Sequence, residues 1–206
     1  LMTSVDELLK PISAEEPCGP DLAYDAAFQE LESLLRGKPE TQFSAAEDPD
    51  WKELRALAIG FHGKSKHLTP SVILTLALLK TDGLVGLRDG LGLVRGILQT
   101  YWDGLYPRLD PDDNNDPTER MNILANLASH GEPYRFISRL QDTAICQSPS
   151  LGRVKLHDII LSKLPPGTPV EGQPTPLNEA QIQAIFRDAN PDVLKVIYEA
   201  VVQSLE

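Results

Sequence analysis

Apolar positions recur along this chain at steps of three and four, and most runs are bracketed by a residue that starts or stops a helix. Ser4 and Glu7 frame the short run VDELL as a small capping box, and Pro11 ends it. Leu22, Phe28, Leu31, Leu34 and Leu35 share one face of a second helix that Gly37 stops. The segment KPETQFSAAEDPD is polar and rich in small residues, so it reads as a loop. Asp48 and Pro49 then restart a helix with Trp51, Leu54, Leu57, Ala58 and Phe61 on one face and Gly63 at its close.

Thr69 and Pro70 launch the most apolar helix, which ends at the sequence TDG. From Leu84 through Leu87, Leu91, Val94 and Leu98 to Tyr101 or Trp102 the spacing predicts one long helix, despite Gly86, Gly90, Gly92 and Gly96. Each glycine costs about 1 kcal/mol against alanine in a helix interior, so close packing is the expected return. Gly86 and Gly90 lie one turn apart, which predicts an antiparallel hairpin with the preceding helix over the DG turn. Met121, Ile123, Leu124, Leu127 and Ala128 continue the theme up to Gly131, with a further short helix around PYRFISRL.

The period then changes. TAICQSPSLGRVKLHDIILSKL is β-branched and interrupted by turn residues, and reads as a small hairpin or an irregular excursion near 143–160. PPGTPVEGQPTP is a Pro/Gly-rich connector, followed by helices over Leu177 to Ala189 and, capped by Asn190-Pro191, over DVLKVIYEAVVQSLE. No fixed-period repeat emerges. The expectation is an all-α, irregular multi-helix bundle with at most that one hairpin: a helical domain over 1–163, a connector over 164–176 and a helical hairpin over 177–206 packing on or extending it.

Composition narrows the function classes. With 206 residues the chain can bury a real core, and its longest apolar run, Val72 to Leu79, falls far short of the roughly 20 residues a bilayer requires. The two cysteines, Cys18 and Cys146, lie far apart, which suits a reducing compartment and predicts a cytoplasmic protein. Thirty acidic against nineteen basic residues give a net charge of −11, which opposes nucleic acid and anionic membranes and favours a protein partner.

The densest candidate chemistry is LDPDDNNDPTER, from Leu109 to Arg120. An EF-hand loop needs Gly at its sixth position and Glu at its twelfth; starting from Asp110 these are Asn115 and Met121, and from Asp112 they are Pro117 and Ile123. A capping role fits better: Asp116 as cap, Pro117 at the first helical position, Glu119 reaching back to the cap N–H. AIGFHGKS resembles the end of a phosphate-binding loop through Gly63-Lys64-Ser65, but Ala58 stands where the first Gly belongs and a helix precedes it instead of a strand. Gly90, Gly92 and Gly96 are spaced one residue too wide for a dinucleotide fingerprint. His62 and His67 adjoin Lys64 and Lys66, His130 and His157 have no ligand neighbours, and all four read as surface or helix-end residues. No catalytic residue, cofactor or metal ligand is expected, and Trp102 reads as core or, in second place, as an anchor for another protein. Two alternatives stay open: a nucleotide- or phosphate-ester-binding enzyme using Gly63-Lys64-Ser65, and a calcium-responsive scaffold through Asp110 to Asp116.

The stretches PISAEEPCGPDLAYD, LTLALLKTDGLVGLRDGLGLVRGILQTYWDGLYPRLDPDDNNDPTERMNILANL, SLGRVKLHD and IFRDANPDVL, in that order, resemble the ImpA-related N-terminal domain that begins TssA-type assembly components of the bacterial type VI secretion system. The resemblance implies a non-catalytic, cytoplasmic protein that contacts baseplate, sheath and tail-tube proteins. It also implies that ring formation rests mainly on a further C-terminal region, with self-association of this part left open. SKHLTP departs from the family's more charged pattern. The family motif falls on Trp102, Asp103, Asp112, Asp113, Asp116, Pro117 and Arg120, and the expectation is that most are structural, with Arg120 bridging to the aspartates of the joint.

Overall fold

A computed structural model describes residues 4–38, 42, 47–165 and 176–205. Four helices open the order: α1 (Val5–Leu8), α2 (Ala26–Leu35), α3 (Trp51–His62) and α4 (Leu68–Tyr101). After a 3-10 turn at Pro111–Asp113 come α5 (Thr118–Ala125), a second 3-10 turn at Asn126–Ala128, and α6 (Phe136–Gln141). Strands β1 (Ala144–Ser148) and β2 (Gly152–Lys155) then precede α7 (Leu156–Ser162), α8 (Glu179–Asp188) and α9 (Pro191–Ser204). The fold is mostly helical with one small antiparallel sheet, and the expected hairpin is present in the register Cys146 opposite Val154, Gln147 opposite Arg153 and Ser148 opposite Gly152.

Helix starts follow the side chains able to accept from free N–H groups. Ser4 Oγ accepts from the Glu7 amide, Asp25 from Ala27 and Asn190 from Asp192. Two expected starts shift. The third helix begins at Trp51, where Asp50 Oδ1 accepts from both Lys52 and Glu53 at 3.0 Å. Asp48 is set apart by Pro49 and instead meets Arg139 at 3.3 Å. The eighth begins at Glu179, where Asn178 and Gln181 form a reciprocal capping box. Of the loop expected between Gly37 and Asp50, Lys38 and Glu47 pair across a backbone bridge, while 39–41 and 43–46 lie outside the described residues, as does most of the expected connector (166–175).

The centre is α4, which Gly83 folds into an antiparallel hairpin by taking φ 65° and ψ −143°, a conformation open to glycine. Neither arm, 68–82 nor 84–101, reaches the roughly 20 residues a bilayer crossing needs, and every residue from Leu68 to Leu79 is buried by protein. The predicted close approach is there. A Cβ on Gly86 would stand 2.2 Å from the Leu78 carbonyl oxygen, and one on Gly90 would stand 2.6 Å from Thr75 Cα. A second, smaller core joins Cys146 and Val154 of the sheet to Ile182, Ile185 and Ala189 at α8, while α9 lies along α4.

Candidate functional site at the joint between the fourth and fifth helices

Residues 102–120 carry the chain from the end of α4 to the start of α5, and Arg120 organises them. On α5 it shares the apolar stripe of Ile123, Leu124 and Leu127, so the helix carries a cation inward, and only 1% of its surface remains exposed. Its guanidinium donates from Nε to the Pro107 carbonyl at 2.8 Å, from Nη1 to Trp102 at 2.6 Å and from Nη2 to Leu105 at 2.5 Å. This corrects the expected bridge to aspartates. The loop carbonyls have no other way to be satisfied in a buried turn, and a planar fork with several donors meets three at once. The same cation sits at the negative end of the α4 dipole, a favourable place for it. Burial pulls the guanidinium's pKa down and the charge of Asp103 pulls it back up, within a range where arginine stays protonated.

Trp102 stacks on this group, its ring centroid 4.7 Å from Arg120 Cζ. The indole is 39% exposed, so the core reading fails: Arg120 occupies the buried position and Trp102 covers it. Asp103, Asp112, Asp113, Asp116 and Pro117 are all exposed. Asp110 Oδ1 accepts from the Asp112 amide and opens the 3-10 turn, after which Asn114 and Asn115 take left-handed conformations at φ 53° and 55°. Asp116 Oδ1 accepts from the Thr118 amide and hydroxyl, so it is Pro117, not Asp116, that occupies the cap position, and the helix starts one residue later than expected. No ion pair among the described residues involves Asp103, Asp110, Asp112, Asp113, Asp116 or Glu119. A shallow cavity of about 160 Å³ lies among them, lined by Asp110, Asp113, Asp116, Glu119, Arg108 and Arg120. Among the described residues no three His, Cys, Asp or Glu side chains converge on one metal position.

The joint is tied back to the rest of the molecule. Leu68 N–H donates to the Tyr106 carbonyl at 2.8 Å and Tyr106 N–H to the Lys66 carbonyl at 3.0 Å, a short parallel bridge across the open end of the α4 hairpin. Lys66 N–H donates to Cys18, and the Tyr106 hydroxyl to Gly19 at 3.1 Å. This convergence accounts for Gly63-Lys64-Ser65. The Ser65 hydroxyl, fully buried, donates to the Pro20 carbonyl at 2.7 Å, and Gly63 ends α3 with its N–H on the Ile59 carbonyl. Lys64 points outward. His62 and His67, expected at the surface or at helix ends, do stand at helix ends, the last residue of α3 and the cap of α4, but are buried at 0% and 4% exposure. His67 Nδ1 accepts from the Thr69 amide and caps α4, while both ring nitrogens of His62 lack a partner. The missed signal is position: Arg120 and His62 each fall on the apolar stripe of their helix, which is where a buried polar residue shows in a sequence.

Comparison with known proteins gives this geometry a context. The family model described as ImpA, N-terminal, type VI secretion system, matches residues 9–129, from just after the first helix through the joint. The type VI secretion system component TssA1 of Pseudomonas aeruginosa is 40% identical over 204 residues, which is 97% of this chain and 57% of that protein. The chain thus spans little more than half the length of this relative. The N-terminal domain of the TssA component from Burkholderia cenocepacia, a solved structure, superposes with a TM-score of 0.66 at 24% identity, covering all of this chain and 82% of that one, and shows that the fold is shared. With the family match spanning more than half of its length and taking in the Arg120 joint, the chain belongs to the ImpA N-terminal family of TssA components of the type VI secretion system.

Proposed function

We propose that this chain is a non-catalytic docking module of the secretion assembly, working in the bacterial cytoplasm, and that the joint grips a basic face of a baseplate, sheath or tail-tube protein. The observation that carries this reading is Trp102: a large aromatic side chain 39% exposed, stacked on the guanidinium beneath it, in a joint whose exposed carboxylates form no ion pair among the described residues. A preorganised aromatic anchor loses little entropy on binding, and free acids around it select and steer a cationic partner. Family membership supplies the setting. The catalytic and metal readings draw no comparable support, because Ser65 is committed to the Pro20 carbonyl and Asp110 and Asp116 to backbone amides.

The test measures binding of the chain to purified baseplate, sheath and tail-tube subunits. Trp102→Ala is expected to weaken the productive pair at least tenfold. The double change Asp112→Asn with Asp113→Asn, which touches no internal hydrogen bond, is expected to weaken it and to flatten its salt dependence. Unchanged affinity in both variants, or no binding to any subunit by the folded wild-type chain, would remove the joint from this role.

A further inference from the structure

Away from the joint, a groove of about 650 Å³ runs between the returning arm of α4, the sheet and the last two helices. Leu84, Leu87 and Leu91 form its floor, Phe186 one wall, and Tyr198 and Leu205 the other. Its lining is almost wholly apolar, and no charged side chain contributes to it. The wall is unusual for a surface helix. Tyr198 is 69% exposed, Val201 41% and Leu205 84%, a large apolar surface left open among the described residues. From this we infer that the groove is a self-association surface whose occupant is a second copy of this chain.

Three observations select that occupant. The first is shape. Tyr198, Val201 and Leu205 line the groove and also project from it, so projection and cavity lie side by side on one surface. A twofold axis through such a surface places the Tyr198 and Leu205 side chains of each copy in the groove of the other, which is the self-complementary arrangement a twofold dimer requires. The second is area. At roughly 150 Å² for each large side chain, the three exposed lining residues leave about 300 Å² of apolar surface per copy, comparable to the largest patch of an ordinary monomer. Doubled by symmetry, and with both groove floors covered, the contact approaches the ~1,000 Å² at which specific association becomes stable. The third is charge. At −11 the chain repels a copy of itself over most of its surface, and the exposed acids of the joint repel one most strongly. On α9 the charges nearly balance: Lys195 faces Glu199 at 3.9 Å, and Arg88, at the base of the helix, donates to the Gln203 side chain at 3.3 Å. A cationic or anionic partner would find no counter-charge in the groove, whereas a like copy meets no charged side chain in its lining to repel it.

Sedimentation equilibrium of the 206-residue chain tests this. A reversible dimer with a micromolar dissociation constant is expected, with Tyr198→Asp plus Leu205→Asp weakening it at least tenfold and Trp102→Ala leaving it unchanged. Both α9 positions are exposed, so the variant keeps its fold, which circular dichroism checks. A second measurement uses Val202→Cys, beside the groove but outside its lining, with a short bismaleimide: the native Cys18 and Cys146 are buried, so a covalent dimer reports on α9 alone. A chain that stays monomeric into the sub-millimolar range, or dimerises equally well with both aspartates in place, or yields no cross-linked dimer, overturns the inference. Docking at the joint is measured with other proteins and other variants, so the two ideas fail separately.

Discussion

Around α3 to α6, helices are fixed by buried cations donating into loop carbonyls; around the sheet, α8 and α9, they are held chiefly by apolar side chains laid face to face. In the first region Arg120 takes three carbonyls, Lys66 Nζ takes those of Leu8 and His62 at 2.8 and 3.0 Å, and Arg139 takes those of Pro133 and Tyr134. In the second, Cys146, Val154, Ile182, Ile185 and Ala189 close a small core, with Ser148 and Ser150 donating to Asp188 at its edge. Directional bonds permit one geometry, whereas apolar faces tolerate sliding and leave surface behind. The family match ends at residue 129, so it takes in Arg120 and Lys66 and stops short of the second region. The difference teaches where this molecule needs a unique shape and where it needs a surface to offer.

The largest effect should come from Arg120→Ala, which strands three carbonyls in a buried turn and removes the support of Trp102; we expect a loss of about 3–5 kcal/mol by chemical denaturation. Arg120→Lys keeps the charge without the fork and should recover less than half of that. A loss below about 1 kcal/mol for the alanine variant would erase the contrast between the regions.

Acid should act on the first region next. Burial, aided by the charges of Lys66 and His67, lowers the His62 pKa from 6.5 to about 3, and burial lowers that of His67 to about 4. The unfolded chain takes up these protons near pH 6.5 while the folded chain refuses them, so stability is full above 6.5 and is lost as pH falls through 4 towards 3. Linkage puts the loss on the order of 3 kcal/mol for each of the two histidines by pH 4. Melting curves across that window, with His62→Leu reducing the slope, check it.

Gly90→Ala follows, at about 2–3 kcal/mol, because its Cβ would meet the backbone of the facing arm. Gly92→Ala is the smallest and opposite in sign: nothing lies within 4 Å of a Cβ there, so helix propensity should stabilise the chain by about 0.5–1 kcal/mol. If both substitutions destabilise equally, close approach is not what the glycines provide.

These two glycines also show what was legible in the sequence. The hairpin could be read because Gly86 and Gly90 stand one turn apart opposite an unbroken apolar helix, a pattern that close packing alone explains. The partners of Arg120 could not, because the carbonyls of Trp102, Leu105 and Pro107 belong to the backbone of a turn and leave no side-chain signature. The joint itself was found through its aspartates, which proved to shape turns at its rim, while the residue that holds it was assigned the wrong acceptors. The third helix's cap moved two positions because Asp48 and Asp50 both stand near its start, and Asp50 accepts its first free amides. The groove was illegible for another reason. The last helix carries apolar residues on more than one side, and periodicity does not say which side the fold covers.

The bridge between His67 and Tyr106 joins the two tips of the central hairpin, and so turns a pair of tongs into a closed frame. Tension arriving at the indole of Trp102 would therefore run as shear along peptide hydrogen bonds to the root of the other arm and on to Cys18, instead of prising the arms apart. A frame closed in this way loads its peptide hydrogen bonds together, instead of one at a time.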